Sequence, residues 1–228
     1  MIRFARFTTA LAVAGSLALP ATSLRAQAAT AVAVIPFNVH EARHDSRDFT
    51  GVGSAISDLL AAELRAGGIG VVERGPTLRT AALQPRPRDG MLGREGAVAA
   101  AKVLGAQHVV YGGFTADAAG NVRLDARAVN VGTGAVEFTE RLQGSGDEIV
   151  ALVHQLAGRL ATGMSLSSSG SAAQNASLPL RALVNYGKGL EAVDRGDRAQ
   201  GRQLLEGVVR DHPDFAPAKA ALAATSGR

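Results

Sequence analysis

The sequence predicts an α/β unit built on a mixed parallel and antiparallel sheet with packed helices, followed by a short all-helical segment. Three observations carry this reading. Apolar strand-like runs alternate with amphipathic helical stretches up to about residue 105, the pattern of parallel crossovers. Period-two alternation between Gly-containing turns then takes over, the pattern of an antiparallel meander. Past residue 177 only helical periodicity remains.

The elements follow in chain order. In residues 1–28, Arg3 and Arg6 precede an apolar stretch from Thr8 to Leu19, Pro20 breaks it, and Ala26-Gln27-Ala28 supplies small residues for cleavage. This is the pattern of a secretory signal peptide cleaved near Ala28. The stretch is too short to cross ~30 Å of hydrocarbon, and no later run approaches the ~18 apolar residues that would. The mature chain is therefore expected to be periplasmic and to lack a transmembrane segment. Ala31–Phe37 (AVAVIPF) is apolar on both alternating positions, as in a strand covered on both sides. Residues 38–50 are polar and read as a loop. Val52, Ile56, Leu59, Leu60 and Leu64 then share one helical face, ended by Gly67-Gly68.

Ile69–Glu73 reads as a second strand and Thr77–Leu83 as a short helix, with a stiff connection at Pro85-Arg86-Pro87. Glu95–Leu104 is Ala-rich and helical, and Gln107–Phe114 is a third strand. Val122, Leu124, Ala126 and Ala128 alternate with Arg123, Asp125 and Arg127, placing apolar side chains on one face of a strand and charges on the other. Val136, Phe138 and Leu142 repeat the alternation, which places Glu137, Thr139 and Arg141 beside those charges. Ser145 and Glu148 form a capping box ahead of the stripe Ile149, Leu152, Val153, Leu156 and Leu160. The α/β unit is thus 29–164, and the Ser- and Ala-rich residues 165–177 read as a linker. Residues 178–228 form helices divided at Gly196-Asp197 and at Asp211-His212-Pro213.

Composition narrows the function. The 228 residues are 46% apolar, 19% charged and 4% aromatic, without Cys or Trp. That excludes disorder, a disulfide scaffold, Cys-ligated metals and thiol catalysis. The formal charge is +4 and falls to +1 once Arg3, Arg6 and Arg25 are removed with the first 28 residues. Nucleic acid is not an expected partner of so small an excess.

Several ordered motifs carry a family resemblance. VAVIPF, GVVERG at Gly70–Gly75, AKVLGAQHVVYGGF at Ala101–Phe114 and NVGTGAVEF at Asn130–Phe138 together resemble the CsgG, FlgO and TolB N-terminal family. The resemblance implies a mixed α/β fold similar to anticodon-binding domains. It also implies extracytoplasmic work in envelope assembly: curli secretion, flagellar outer-membrane assembly, peptidoglycan-synthase activation or the Tol system. Curli channels carry a lipidated N-terminal Cys and insert long amphipathic hairpins, whereas this chain has no Cys and places Arg123, Asp125 and Arg127 where a lipid-facing strand needs apolar residues. The pore reading is rejected. Gly189, Gly196-Asp197, Gly201, Leu205, Val208 and Pro213 resemble a single tetratricopeptide (TPR) repeat. A lone helical hairpin cannot bury its own apolar face, so Leu183, Leu190, Leu204, Leu205 and Val208 must cover the α/β unit, another subunit or a partner.

Two motifs point to chemistry. His40-Glu41-Ala42-Arg43-His44 matches H-E-x-x-H, in which two imidazoles one helical turn apart hold zinc and Glu activates a water. Only Val39 and Phe49 could anchor a helix there, and no third ligand follows. Gly51-Val52-Gly53 with Glu73 imitates a dinucleotide fingerprint, but a polar stretch separates it from the first strand. The reading is therefore a non-enzymatic exported adaptor without cofactor, binding envelope proteins, with homo-oligomerisation and peripheral outer-membrane association as further expectations. The expected partner contacts are Arg74, Arg123, Asp125, Arg127, Leu190 and Leu205. The alternative is a zinc-dependent hydrolase using His40, Glu41 and His44.

Overall fold

The computed structural model describes residues 31–40, 48–87, 91–169 and 178–226. The expected signal peptide, Glu41, His44 and residues 170–177 of the expected linker lie outside the described residues. The sheet is mixed, as the sequence predicts. β1 (Ala31–Val34) runs parallel to β3 (Gly70–Val71) on one side and to β4 (His108–Ala116) on the other. β5 (Asn121–Asn130) and β6 (Val136–Ser145) complete an antiparallel meander, in the order β3-β1-β4-β5-β6. Gly120 and Gly134, at φ +91° and +73°, make the two hairpin turns in a backbone region that favours glycine.

One strand was not expected. β2 (Asn38–His40) falls in the stretch read as loop and continues β1 along β4 beyond the interruption at residues 35–37, with Val39 opposite Phe114 and His40 opposite Thr115. Three residues are too few to show alternation, so only the ladder with β4 makes this segment a strand.

Helices cover the sheet unequally. The β1–β3 crossover, α1 (Val52–Ala66), lies on a first face together with α4 (Ile149–Gly163). There they bury Val32, Val110, Phe114, Leu124 and Leu142. The β3–β4 crossover runs the opposite way across the sheet, so right-handedness sends α2 (Arg74–Ala82) and α3 (Arg94–Val103) to the second face. They cover Ala33, Ile35, Val109, Tyr111 and Val129. α2 begins three residues earlier than expected, at Arg74. Ahead of α4 the capping box forms: the Ser145 N–H donates to Glu148 Oε2 at 2.7 Å.

The tail consists of α5 (Leu180–Asp194), α6 (Arg198–Asp211) and α7 (Ala216–Ser226). Asp197 caps α6 by accepting from the Gln200 N–H at 3.0 Å. α5 lies across α1, and the first-face core continues without a break into Leu178, Leu183, Tyr186, Leu205 and Phe215. Burying four large side chains of this segment, Leu178, Leu183, Tyr186 and Leu190, contributes roughly 6–12 kcal/mol gross, at about 1.5–3 kcal/mol each. The helix crossing is tight because it is built on glycine: a Cβ on Gly187 would fall 1.9 Å from the Gly51 carbonyl oxygen. Gly51 itself, at φ +90°, is the residue before α1.

Candidate functional site

Among the described residues, the second face of the sheet is only half covered. α2 and α3 lie over β1 and the start of β4, while Arg127, Thr139, Arg141 and Gln143 are exposed. Register brings these side chains into rows across the strands. One row is His40, Thr115, Arg123 and Gln143; the next is Asn38, Gly113, Asp125 and Arg141; the third is Tyr111, Arg127 and Thr139. The expected trio Arg123, Asp125 and Arg127 therefore does lie on one solvated face, and Thr139 and Arg141 stand beside it.

Asp125 is the anionic centre of this face. It accepts from Arg123 Nε at 2.8 Å and from Arg141 Nε at 2.6 Å. Partial burial pushes its carboxyl up, but the two guanidiniums outweigh that and hold it below the usual range. Arg127 and Arg94, at the start of α3, both act on the Tyr111 phenol, which burial nevertheless raises. The face thus sets Arg123 and Arg141 on one carboxylate and Arg127 in the next row, with Arg94 beside Tyr111 at the covered margin, an excess of positive charge. Arg94 comes from another element and carried no sequence signal.

Glu137 departs from the expected arrangement. A register irregularity between Ala128 and Val129 displaces it from the charged rows. Its carboxylate meets His108 Nδ1 at 2.7 Å and accepts from Asn130 Nδ2 at 3.0 Å.

Arg74 serves the tail. Its Nη2 and Nε donate to Asp194 Oδ2 at 2.8 and 3.0 Å, and its Nη1 donates to the Ser54 carbonyl. Ser54 Oγ in turn donates to Glu191 at 2.8 Å, and Tyr186 Oη to Asp58 at 2.5 Å. Burial, reinforced by Asp58, holds the Tyr186 phenol well above its ordinary value. Leu190 and Leu205, 7% and 0% exposed, are packed inside the chain. Their side chains, expected as partner contacts, are not open to a partner.

His40 is exposed on β2, with its imidazole over Gly113; a Cβ there would come 3.0 Å from His40 Nε2. A zinc site of the H-E-x-x-H kind needs its first His on a helix with the second one turn later. Here the first His is in a strand, paired with Thr115. Among the described residues no group of three His, Asp or Glu could hold a metal ion.

A second concavity, about 770 Å³, opens beyond the carboxyl end of β1 between α2 and the end of α5. Phe37, Val39, Leu78 and Leu92 form its apolar part, and Arg79 and Asp194 stand among its polar residues. Ligands of open α/β sheets bind in such crevices, where the crossovers from two neighbouring strands, here β1 and β3, leave toward opposite faces. The sequence did not reveal this cleft, because α5 and the chain around Leu92 build it from distant positions.

No family model matches the chain, and no curated protein matches it either. Among solved structures it is similar to TolB from Acinetobacter baumannii, at 14% identity and TM-score 0.41 over 60% of this chain and 28% of that one. It is also similar to the LpoB C-terminal domain from Salmonella enterica, at 18% identity and TM-score 0.40, covering 51% of this chain and 83% of that one. The lipoprotein GNA1162 from Neisseria meningitidis aligns at 18% identity and TM-score 0.40, over 57% of this chain and 99% of that one. This chain therefore spans little more than a quarter of the TolB structure's length.

Proposed function

We propose that the chain is an exported, non-enzymatic adaptor that works in the cell envelope by binding another protein. The docking surface is the open second face around Arg123, Asp125, Arg127 and Arg141. One observation supports this above the rest: among the described residues helices cover half of that face and leave the other half bare, with Arg123 and Arg141 paired to Asp125 and Arg127 exposed one row away. A face that serves only solvation has no need of one-signed charge, whereas a field of one sign steers and orients a charged partner. Arg74, Leu190 and Leu205 hold the tail in this reading and belong to the scaffold.

The test places a photo-crosslinking amino acid at Thr139 in the exported full chain and identifies adducts from envelope fractions by mass spectrometry. A discrete adduct that disappears in the triple variant Arg123→Glu, Arg127→Glu, Arg141→Glu is the expected result. An adduct of undiminished yield in that variant, or no discrete adduct, overturns the proposal. The same preparation reports export, since the mature protein should begin near Ala29.

A further inference from the structure

The outer edge of β6 is a ten-residue strand side beside which no further strand lies among the described residues. Which of its backbone groups face outward follows from the ladder. The Asp117 N–H donates to Asn121 O and the Val131 N–H to Gln107 O, so the odd residues of β5 bond toward β4. The Gly146 N–H donates to Gly120 O and the Asn130 N–H to Ala135 O, so its even residues bond toward β6. Inward pairs recur at every second position in an antiparallel ladder. Glu140, Leu142 and Gly144 therefore point their N–H and C=O groups at β5, and Thr139, Arg141 and Gln143 point theirs outward. Ser145 confirms the parity, since its N–H is capped by Glu148 instead of by a strand.

We infer that this edge accepts an extended segment of a protein partner as a sixth strand position, and that the segment is acidic where it passes Arg141. The charge follows from the row to which that position belongs. Asp125 and Arg141 alternate in sign across β5 and β6, and only Arg141 Nε is engaged by Asp125, so its terminal nitrogens remain for an acid on the added strand. Arg123 and Arg127, one row to either side, reinforce the preference. On the first face the added strand would lie beside Phe138 and Leu142, which favour apolar residues at the alternate positions. Glu140 between them is already held by Arg159 at 2.7 Å. The recognised segment thus alternates acidic and apolar residues, the pattern of strand addition with backbone affinity and side-chain selection.

The inference rests on the adaptor reading for the existence of a protein partner, but its test uses a synthetic probe and stands apart from the crosslinking experiment. The probe is the peptide acetyl-Thr-Val-Glu-Val-Glu-Val-Thr-amide, titrated into the full mature chain and followed by backbone amide resonances. Saturable binding centred on Thr139, Arg141 and Gln143 is expected, at least tenfold tighter than for the same peptide with Lys in place of Glu. Arg141→Glu should reverse that preference. Thr139→Pro, which removes one outward N–H without touching the β5 ladder, should weaken binding at least tenfold. In the unaltered protein, N-methylation of alternate peptide residues on the bonding edge should abolish it. Equal binding of the Glu and Lys peptides, undiminished binding of the methylated peptide, resonance changes away from β6, or no binding at all would each overturn the inference. So would a dimer of the chain alone that Thr139→Pro disperses, since the occupant would then be a second copy.

Discussion

At the scale of single residues, two titrating groups give opposite pH dependences. The folded pKa of Asp125 is held below its unfolded value, and that unfolded value is about 3.9. Its contribution to stability is therefore complete above that unfolded value and is lost as pH falls through the folded one. Urea unfolding of Asp125→Asn should show a smaller loss of stability on acidification than wild type. Tyr186 behaves in the reverse sense. Its folded pKa is raised, so its contribution is complete below the unfolded value of about 10 and is lost as pH climbs toward the folded one. Tyr186→Phe should cost about 1–3 kcal/mol at neutral pH by stripping Asp58 of its donor. The same variant should lose stability less steeply than wild type above pH 10 (a comparison read from urea midpoints at matched pH). The charged neighbours of Asp125 were legible in the alternation of β5 and β6; the Tyr186–Asp58 bond was not, because its partners lie 128 residues apart.

At the scale of elements, the legible parts were those whose signal is local. α1 announced itself through Val52, Ile56, Leu59, Leu60 and Leu64, and β5 through strict alternation, because period alone decides which face each residue takes. β2 and the early start of α2 were not legible, since their stability comes from partners instead of from their own pattern. The crossing of α5 over α1 was legible only as a requirement that Leu183 and its neighbours cover something; the glycines that permit it are far apart in the chain. Gly187→Ala sets a Cβ against the Gly51 backbone, which cannot yield as a flexible side chain would. It should destabilise the protein by about 1–3 kcal/mol or more. Gly158→Ala, on α4, meets nothing within 4 Å and should be neutral or slightly stabilising. Paired thermal melts of the two variants check both directions.

For the whole molecule, the open face was partly legible. Alternation placed Arg123, Asp125 and Arg127 together, but that no helix among the described residues covers them depends on where α2 and α3 come to rest, and their coverage ends at Val129. The continuity of the core across 29–164 and the tail predicts how truncation will act. A chain ending at Met164 leaves bare the side of α1 that α5 covers, and should bind a hydrophobic dye and unfold at lower temperature than the full chain. An unchanged melting temperature would show that the tail adds nothing to the core. The same crossing bears on the order of assembly. Gly187 lies more than a hundred residues beyond the end of α1, so a sheet that closed first would leave a greasy flank of its first helix waiting for a lid. Refolding of the full chain from urea is therefore expected to pass through a dye-binding stage that ends when the carboxyl-terminal helices dock.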